Sequence, residues 1–143
     1  MNDLIIEHIF KNDKFASIKE TDYNNIKKIV IYYNEYLLCG TPYLFLYYLD
    51  KLDNCIIFNI TRSKYLFLIA LFQLTTKWAE DIYVSNNYIL NLFFGNNKYL
   101  KSLKKMELHI FAALDYNLYV SNEIYQEYCI SIDKKYNIST NQT

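Results

Sequence analysis

The segment LFLIALFQLTTKW, residues 66–78, is apolar on nearly every side of a helix. A hydroxyl at Thr61 or Ser63 can cap the start of this helix, which runs through Trp78. The run from Tyr65 to Phe72 is well short of the ~20 apolar residues needed to span a bilayer. A helix that is apolar nearly all round lies at the centre of a bundle. The segment therefore predicts a buried central helix and no membrane span.

Two helices are predicted before this segment. Apolar residues recur every three or four positions from about Asp22 to Leu38, which is the spacing of one face of an amphipathic helix. Thr41 and Pro42 start the next helix, because threonine caps unpaired amides and proline suits the first helical position. This second helix is expected to end near Leu52.

Three further helices are predicted after the central segment. Ser85 can cap a fourth helix that ends near Gly95. The fifth helix carries an apolar stripe at Leu100, Leu103, Ile110, Phe111 and Leu114. Ser121 starts a sixth helix. The inward face of the sixth is expected at Ile124, Tyr128 and Ile132.

Composition supports one compact all-α domain. The chain has 143 residues, a formal net charge of zero, two glycines and one proline. So few turn-forming residues do not suit a many-stranded β protein. A neutral chain whose single arginine is Arg62 is also unlike a nucleic-acid binder. The lysines at 98, 101, 104 and 105 are therefore interpreted as a solvated helix face.

The cysteines and the amino terminus point to an intracellular location, in the cytoplasm or nucleus. Three cysteines without a CxxC spacing suggest neither a disulfide framework nor a zinc site. The amino terminus carries Asp3 and Glu7 where a signal peptide would be basic. His8 and His109 belong to no catalytic or metal-binding spacing and are expected at the surface or at an interface.

Two charges stand out in apolar surroundings. Lys77 ends the central segment, and Glu107 interrupts the stripe of the fifth helix. Taken alone, Lys77 is a solvated lysine that favours the dipole at a helix end. Glu107 alone would pair with Lys104, three residues earlier on the same helical face.

Three blocks of sequence, in order, give these charges a different interpretation. They read YNNIKKIVIYYNEYLLCGTPYLFLYYLDKL at 23–52, TTKWAEDIYVSNNYILNLFFG at 75–95 and LKKMELHIFAALDYNLYVSNEIYQEYC at 103–129. The blocks resemble the single cyclin box of P/U-type cyclins, which are related to the phosphate-pathway cyclins. The resemblance implies a five-helix cyclin box at 17–121, an amino-terminal extension at 1–16, and a carboxy-terminal helix and polar tail at 122–143. Short helices are expected on both sides of the box.

The resemblance also implies a binding face formed by the third and fifth helices. In that family this face receives the αC helix of a cyclin-dependent kinase. Lys77 and Glu107 would grip main-chain carbonyls and amides of the kinase. The positions that would supply apolar contact are Trp78, Phe111, Tyr116 and Leu118.

The function implied is regulatory and not enzymatic. The chain would activate a cyclin-dependent kinase catalytic subunit, with no catalytic residue, cofactor, metal or small-molecule substrate of its own. A role in the cell cycle is one possibility for this family and does not follow for this branch. The first alternative is a cyclin-fold adaptor or scaffold that binds a protein without activating a kinase. The second is a helical enzyme, which would need a deep pocket holding His109 and an acid.

The chain departs from the family at the start of the third helix, in the first helix, and after the fourth helix, where the family's glycine pair is replaced by GNN at 95–97. The family's His-Arg at the start of the third helix is replaced by Tyr65 and Leu66, with Arg62 one turn earlier. The hydrophobic docking motif that cell-cycle cyclins carry on the first helix is not evident in NNIKKIVIYY, residues 24–33. Recruitment of substrates through that motif is therefore not expected.

Overall fold

The computed structural model describes residues 5, 7–9, 20–36, 41–52, 64–80 and 83–136. Over these ranges the chain is helical and contains no strand, which confirms the predicted all-α fold. The helices are α1 (Glu20–Tyr36), α2 (Thr41–Leu52), α3 (Lys64–Ala79), α4 (Asn86–Phe94), α5 (Leu100–Ala113) and α6 (Asn122–Lys135). Ile5, Glu7, His8 and Ile9 also have helical backbone.

Some predictions fall outside the described ranges. They concern the cap at Thr61 or Ser63, the position of Arg62, the cysteines at 39 and 55, most of the extension at 1–16 and the tail after Tyr136. Within the described ranges, no helix is long and apolar enough to cross a membrane.

Helix α3 lies at the centre of the bundle, as its sequence predicts. Every residue from 66 to 73 is buried, and α3 packs against α1, α2 and α5. The ring of Phe72 stacks between Tyr33 of α1, at 4.5 Å between centroids, and Phe45 of α2, at 3.7 Å. Helix α4 packs on α5, and α6 packs on α2. This arrangement brings the carboxyl end of α3 beside α5.

Helix α4 begins and ends where the sequence predicts. The Ser85 hydroxyl accepts a hydrogen bond from the Tyr88 amide at 3.1 Å. Gly95 adopts a φ of 74° and its amide donates to the Asn91 carbonyl at 2.9 Å. Such left-handed residues are a common way to end a helix, and glycine adopts this conformation at least cost. The cap at Ser85 also fixes the position of the next residue, Asn86.

The first turn of α6 differs from the prediction. Ser121 caps this helix, since its hydroxyl accepts from the Ile124 amide at 3.3 Å. Ile132 is buried and Tyr128 is half-buried, as expected. Ile124, however, is 47% exposed and does not face the core. Helix α6 packs on α2, and Ile124 lies on the side of its first turn that faces solvent.

His8 also differs from the prediction, because it is buried. Its two ring nitrogens lie 2.7 Å from the Tyr136 hydroxyl and 2.7 Å from a carboxylate oxygen of Asp50. Tyr128 donates to the other Asp50 oxygen at 2.5 Å. Burial and this hydrogen bond raise the pKa of Tyr128. These polar partners make the burial of an imidazole possible. His109 is exposed, in agreement with the prediction.

Candidate functional site

Lys77 and Glu107 meet directly. Lys77 lies in the last turn of α3, and Glu107 lies in the middle of α5. The Lys77 Nζ is 3.0 Å from Glu107 Oε2 and 3.2 Å from Oε1. The two side chains are 29% and 12% exposed. The structure therefore describes neither a solvated lysine nor a Glu107–Lys104 pair, but an ion pair between α3 and α5 at the edge of the core.

A third residue holds the lysine. Asn86, the first residue of α4, is 7% exposed and accepts a hydrogen bond from Lys77 Nζ at 2.9 Å. The same Asn86 oxygen accepts from Gln73 Nε2 at 2.9 Å. Gln73 lies one turn before Lys77 on α3 and is fully buried. The ammonium of Lys77 thus lies between a neutral amide oxygen and a carboxylate.

The network continues into the core. Gln73 Nε2 also donates to the Val84 carbonyl at 3.0 Å, and its Oε1 accepts from the Tyr33 hydroxyl at 2.7 Å. Burial, then Tyr32 and then Glu107, raise the pKa of Tyr33 well above 10.0. The phenol therefore remains a neutral donor. We call Tyr33, Gln73, Asn86, Lys77 and Glu107 the polar relay. It connects α1, α3, α4 and α5.

The four apolar positions expected at the binding face form two pairs. Phe111 and Tyr116 lie together after Glu107, and Trp78 and Leu118 lie together at another part of the surface. Phe111 lies one turn after Glu107 on α5, and Tyr116 packs edge-on against it with ring centroids 5.4 Å apart. Trp78 is 52% exposed and Tyr116 is 70% exposed. Leu118 is buried, and its carbonyl accepts a hydrogen bond from the Tyr48 hydroxyl. Trp78 and Tyr116 are thus available for contact, whereas Leu118 is mainly part of the core.

The turn after α5 presents Tyr116 in an uncommon conformation. Asp115 and Tyr116 have φ values of 57° and 56°. Residues other than glycine rarely adopt this region. The Tyr116 amide donates to the Phe111 carbonyl at 2.9 Å, which ends the helix and keeps the two aromatic rings together.

A groove opens beside Trp78. It has a volume of about 540 Å³ and lies between the start of α2, the end of α3 and the segment that leads into α6. Its lining is mostly apolar and comprises Thr41, Leu44, Trp78, Ala79, Leu118, Tyr119, Val120, Asn122 and Tyr125. The groove has Trp78 and Leu118 in its lining, two residues that the resemblance assigns to the binding face, and the groove itself was not predicted.

Sequence reasoning missed Asn86 and Gln73. Gln73 was visible as an amide in the middle of a segment that is otherwise almost entirely apolar, which predicts a buried polar partner. Asn86 follows the capping serine and looks like an ordinary residue of a first turn. Only the packing of α4 against α5 reveals that its oxygen reaches Lys77.

The site offers a charged pair and exposed aromatic side chains that can bind a partner. No cluster of three or more His, Cys, Asp or Glu side chains suited to a metal occurs in the part of the chain that the structure describes. His109, the residue on which the enzyme hypothesis was based, has an exposed side chain. No protein-family model, curated protein or solved structure matches the chain.

Proposed function

We propose that the chain is a cyclin-like regulatory subunit that binds a cyclin-dependent kinase and positions its αC helix. The observation that carries the proposal is the Lys77–Glu107 pair, which lies where α3 and α5 meet the surface. The resemblance of three ordered sequence blocks to a P/U-type cyclin box supports the same function. In that family the equivalent helices form the face that receives the kinase.

The chemistry of the pair suits the main chain of a partner. A lysine ammonium donates to carbonyls, and a carboxylate accepts from amides. Hydrogen bonds to charged groups are stronger than those between neutral groups. The pair would open as the kinase approaches, and each charge would exchange part of its present contact for a main-chain group. Contacts of this kind do not read side chains, so several kinases could be accepted.

Exposed aromatic residues on either side of the pair would supply apolar contact. Trp78 follows Lys77 on α3, while Tyr116 is held against Phe111 beyond Glu107 on α5. Large aromatic side chains often contribute most to the energy of an interface. A kinase helix lying across the pair would cover both groups.

Activation by this route is positional. A protein kinase is active when the glutamate of αC reaches the lysine that holds the ATP phosphates. A subunit that binds only this placement of αC shifts the kinase towards the active state. Moving the ratio of active to inactive kinase from 1:99 to 99:1 requires about 5.5 kcal/mol of differential binding. The chemistry would reside entirely in the kinase.

The proposal is tested with a Lys77→Ala, Glu107→Ala double variant. Candidate kinases are first recovered by affinity capture from the cells of origin and identified by mass spectrometry. Affinity and phosphorylation rate are then measured with the purified partner. We expect the double variant to bind at least tenfold more weakly, since a hydrogen bond to a charged group contributes about 1.5–3 kcal/mol.

A matched control carries Lys105→Ala and Glu127→Ala, which remove one exposed charge of each sign from α5 and α6. Circular dichroism and thermal unfolding establish that both variants are folded. If the Lys77, Glu107 variant is folded yet binds and activates as well as the parent, the proposed site is wrong.

The alternative function is a cyclin-fold adaptor that binds a protein partner without activating a kinase, and the groove beside Trp78 gives such a partner a second place to bind. The same measurements distinguish the two functions. A stable complex whose phosphorylation rate does not exceed that of the partner alone would support the adaptor.

A further inference from the structure

Asn86 occupies a position that is fixed from several directions. It is the first residue of α4, and the Ser85 cap holds the backbone of that turn. Its side chain is buried, and its single carbonyl oxygen accepts from both Gln73 and Lys77 at 2.9 Å. An amide oxygen has two lone pairs, so both are used.

The orientation of the two amide side chains is determined by their neighbours. The Val84 carbonyl can only accept, so Gln73 must turn its NH₂ group towards it. The Oε1 of Gln73 then faces Tyr33, whose hydroxyl donates to it. The NH₂ of Gln73 also points at Asn86, which must present its oxygen. The oxygen that Lys77 meets is therefore fixed by a chain of contacts that starts in the core.

The neutrality of Asn86 matters for Lys77. A carboxylate at position 86 would compete with Glu107 for the Lys77 ammonium. An apolar residue at position 86 would leave Glu107 as the acceptor that holds the ammonium at this site. A lysine side chain has many rotamers, and this freedom is lost when a partner holds it in one geometry. An acceptor that holds the ammonium beforehand lowers this cost of binding.

We propose that Asn86 is a positioning residue that fixes the Lys77 ammonium at the binding face and keeps it there when Glu107 turns to a partner. That Asn86 fixes the Lys77 ammonium is a statement about the free protein. That Asn86 keeps the ammonium in place in a complex rests on the proposed function, because it requires a partner that draws Glu107 away. Asn86 itself is buried and acts on the partner only through Lys77.

The first experiment uses the free protein. The ammonium groups are observed by NMR after ¹⁵N labelling of lysine, at low temperature and mildly acidic pH, and the Lys77 signal is assigned with Lys77→Arg. In the parent chain we expect this signal to be resolved because hydrogen bonds slow its exchange with water. Asn86→Ala should broaden or shift it, whereas Asn87→Ala, the same change at the next and exposed position, should leave it unchanged. An unchanged Lys77 signal in folded Asn86→Ala would overturn the proposal.

The second experiment is a double-mutant cycle on binding. Affinity for the recovered kinase is measured for the parent, Asn86→Ala, Lys77→Ala and the double variant. Asn86→Ala is expected to weaken binding about tenfold in the parent, because the Lys77 ammonium must then be ordered on binding, and to cause no further loss once Lys77 is alanine.

The cycle separates positioning from a general structural role. If Asn86→Ala weakens binding equally with and without Lys77, Asn86 supports the fold and does not position the lysine. If no kinase binds the parent chain, the proposed function fails, and the NMR signal still decides whether Asn86 positions Lys77.

Discussion

At the scale of single residues, the charges of the site depend on one another. Lys77 and Glu107 are mostly withdrawn from water, and each offsets the desolvation of the other. Both residues can be found in the sequence, because a charge within an apolar segment is conspicuous. Their mutual contact cannot be found in the sequence, since it depends on how α3 and α5 pack and on the position of Asn86 at the start of α4.

Tyr33 makes the stability of the fold sensitive to alkaline pH. Its pKa is raised by burial, whereas a tyrosine in the unfolded chain ionises near pH 10. Above about pH 10 the unfolded state releases a proton that the folded state retains, so the free energy of unfolding falls as pH rises. Below that pH the contribution of Tyr33 is constant. The loss approaches about 1.4 kcal/mol per pH unit.

The Tyr33 effect is measured by urea unfolding between pH 9 and about pH 11.5, the range that brackets the ionisation of an unfolded tyrosine. Tyr33→Phe is expected to be less stable at pH 9, because Gln73 loses its donor, but to show a shallower decline with pH. Tyr88→Phe, at a position that is 53% exposed, is the control and should decline like the parent. Equal slopes for Tyr33→Phe and the parent would contradict the assignment.

At the scale of elements, helix ends are the feature that the sequence predicts best. The caps of α4 and α6 at Ser85 and Ser121, and the end of α4 at Gly95, lie where the sequence predicts, because capping residues are local signals. Ile124 shows where such signals fail. Its spacing fits the inward face of α6, yet its side chain is 47% exposed, so periodicity alone did not place it.

Gly95 gives a test of how α4 ends. Its φ of 74° is strained for other residues, although an added Cβ would meet no atom within 4 Å. Gly95→Ala is therefore expected to lower the free energy of unfolding by about 1 kcal/mol through backbone strain alone. Gly95→Asn should cost less, since asparagine tolerates the left-handed region. Urea unfolding compares both with the parent, and an alanine variant at least as stable as the asparagine variant would argue against this cause.

At the scale of the whole molecule, stability depends on α3. The apolar run predicted its central position, because a helix without a polar face has to be covered on all sides. Which helices cover it was not predicted from the residues alone, since apolar surfaces carry little information about their partners. The stacked rings of Tyr33, Phe72 and Phe45 show how α1 and α2 are fixed on either side of α3.

Phe72→Ala tests this dependence. Removing a ring that is 1% exposed and stacked on both faces leaves a cavity, which costs about 3–5 kcal/mol. The total stability of a domain is about 5–15 kcal/mol, so we expect a large fall in the unfolding midpoint or loss of the fold. Leu108→Ala, at a side chain that is 65% exposed, should stay within about 0.5 kcal/mol of the parent. Thermal and urea unfolding provide the comparison, and similar midpoints for the two variants would contradict the central role of α3.

The buried amide of Gln73 also sets the rotational register of α3. Apolar packing favours one rotation of such a helix, but it specifies that rotation less sharply than paired polar groups do, because apolar side chains of similar size can replace one another. Thr75 and Thr76 bond to carbonyls of their own helix and would turn with it. Gln73 cannot, since a turn of one residue, about 100°, would separate its amide from Tyr33 and Val84 and leave buried polar groups unpaired. The same turn would carry Lys77, one turn further along, away from α5. One amide in an apolar helix thus decides the direction in which the lysine faces.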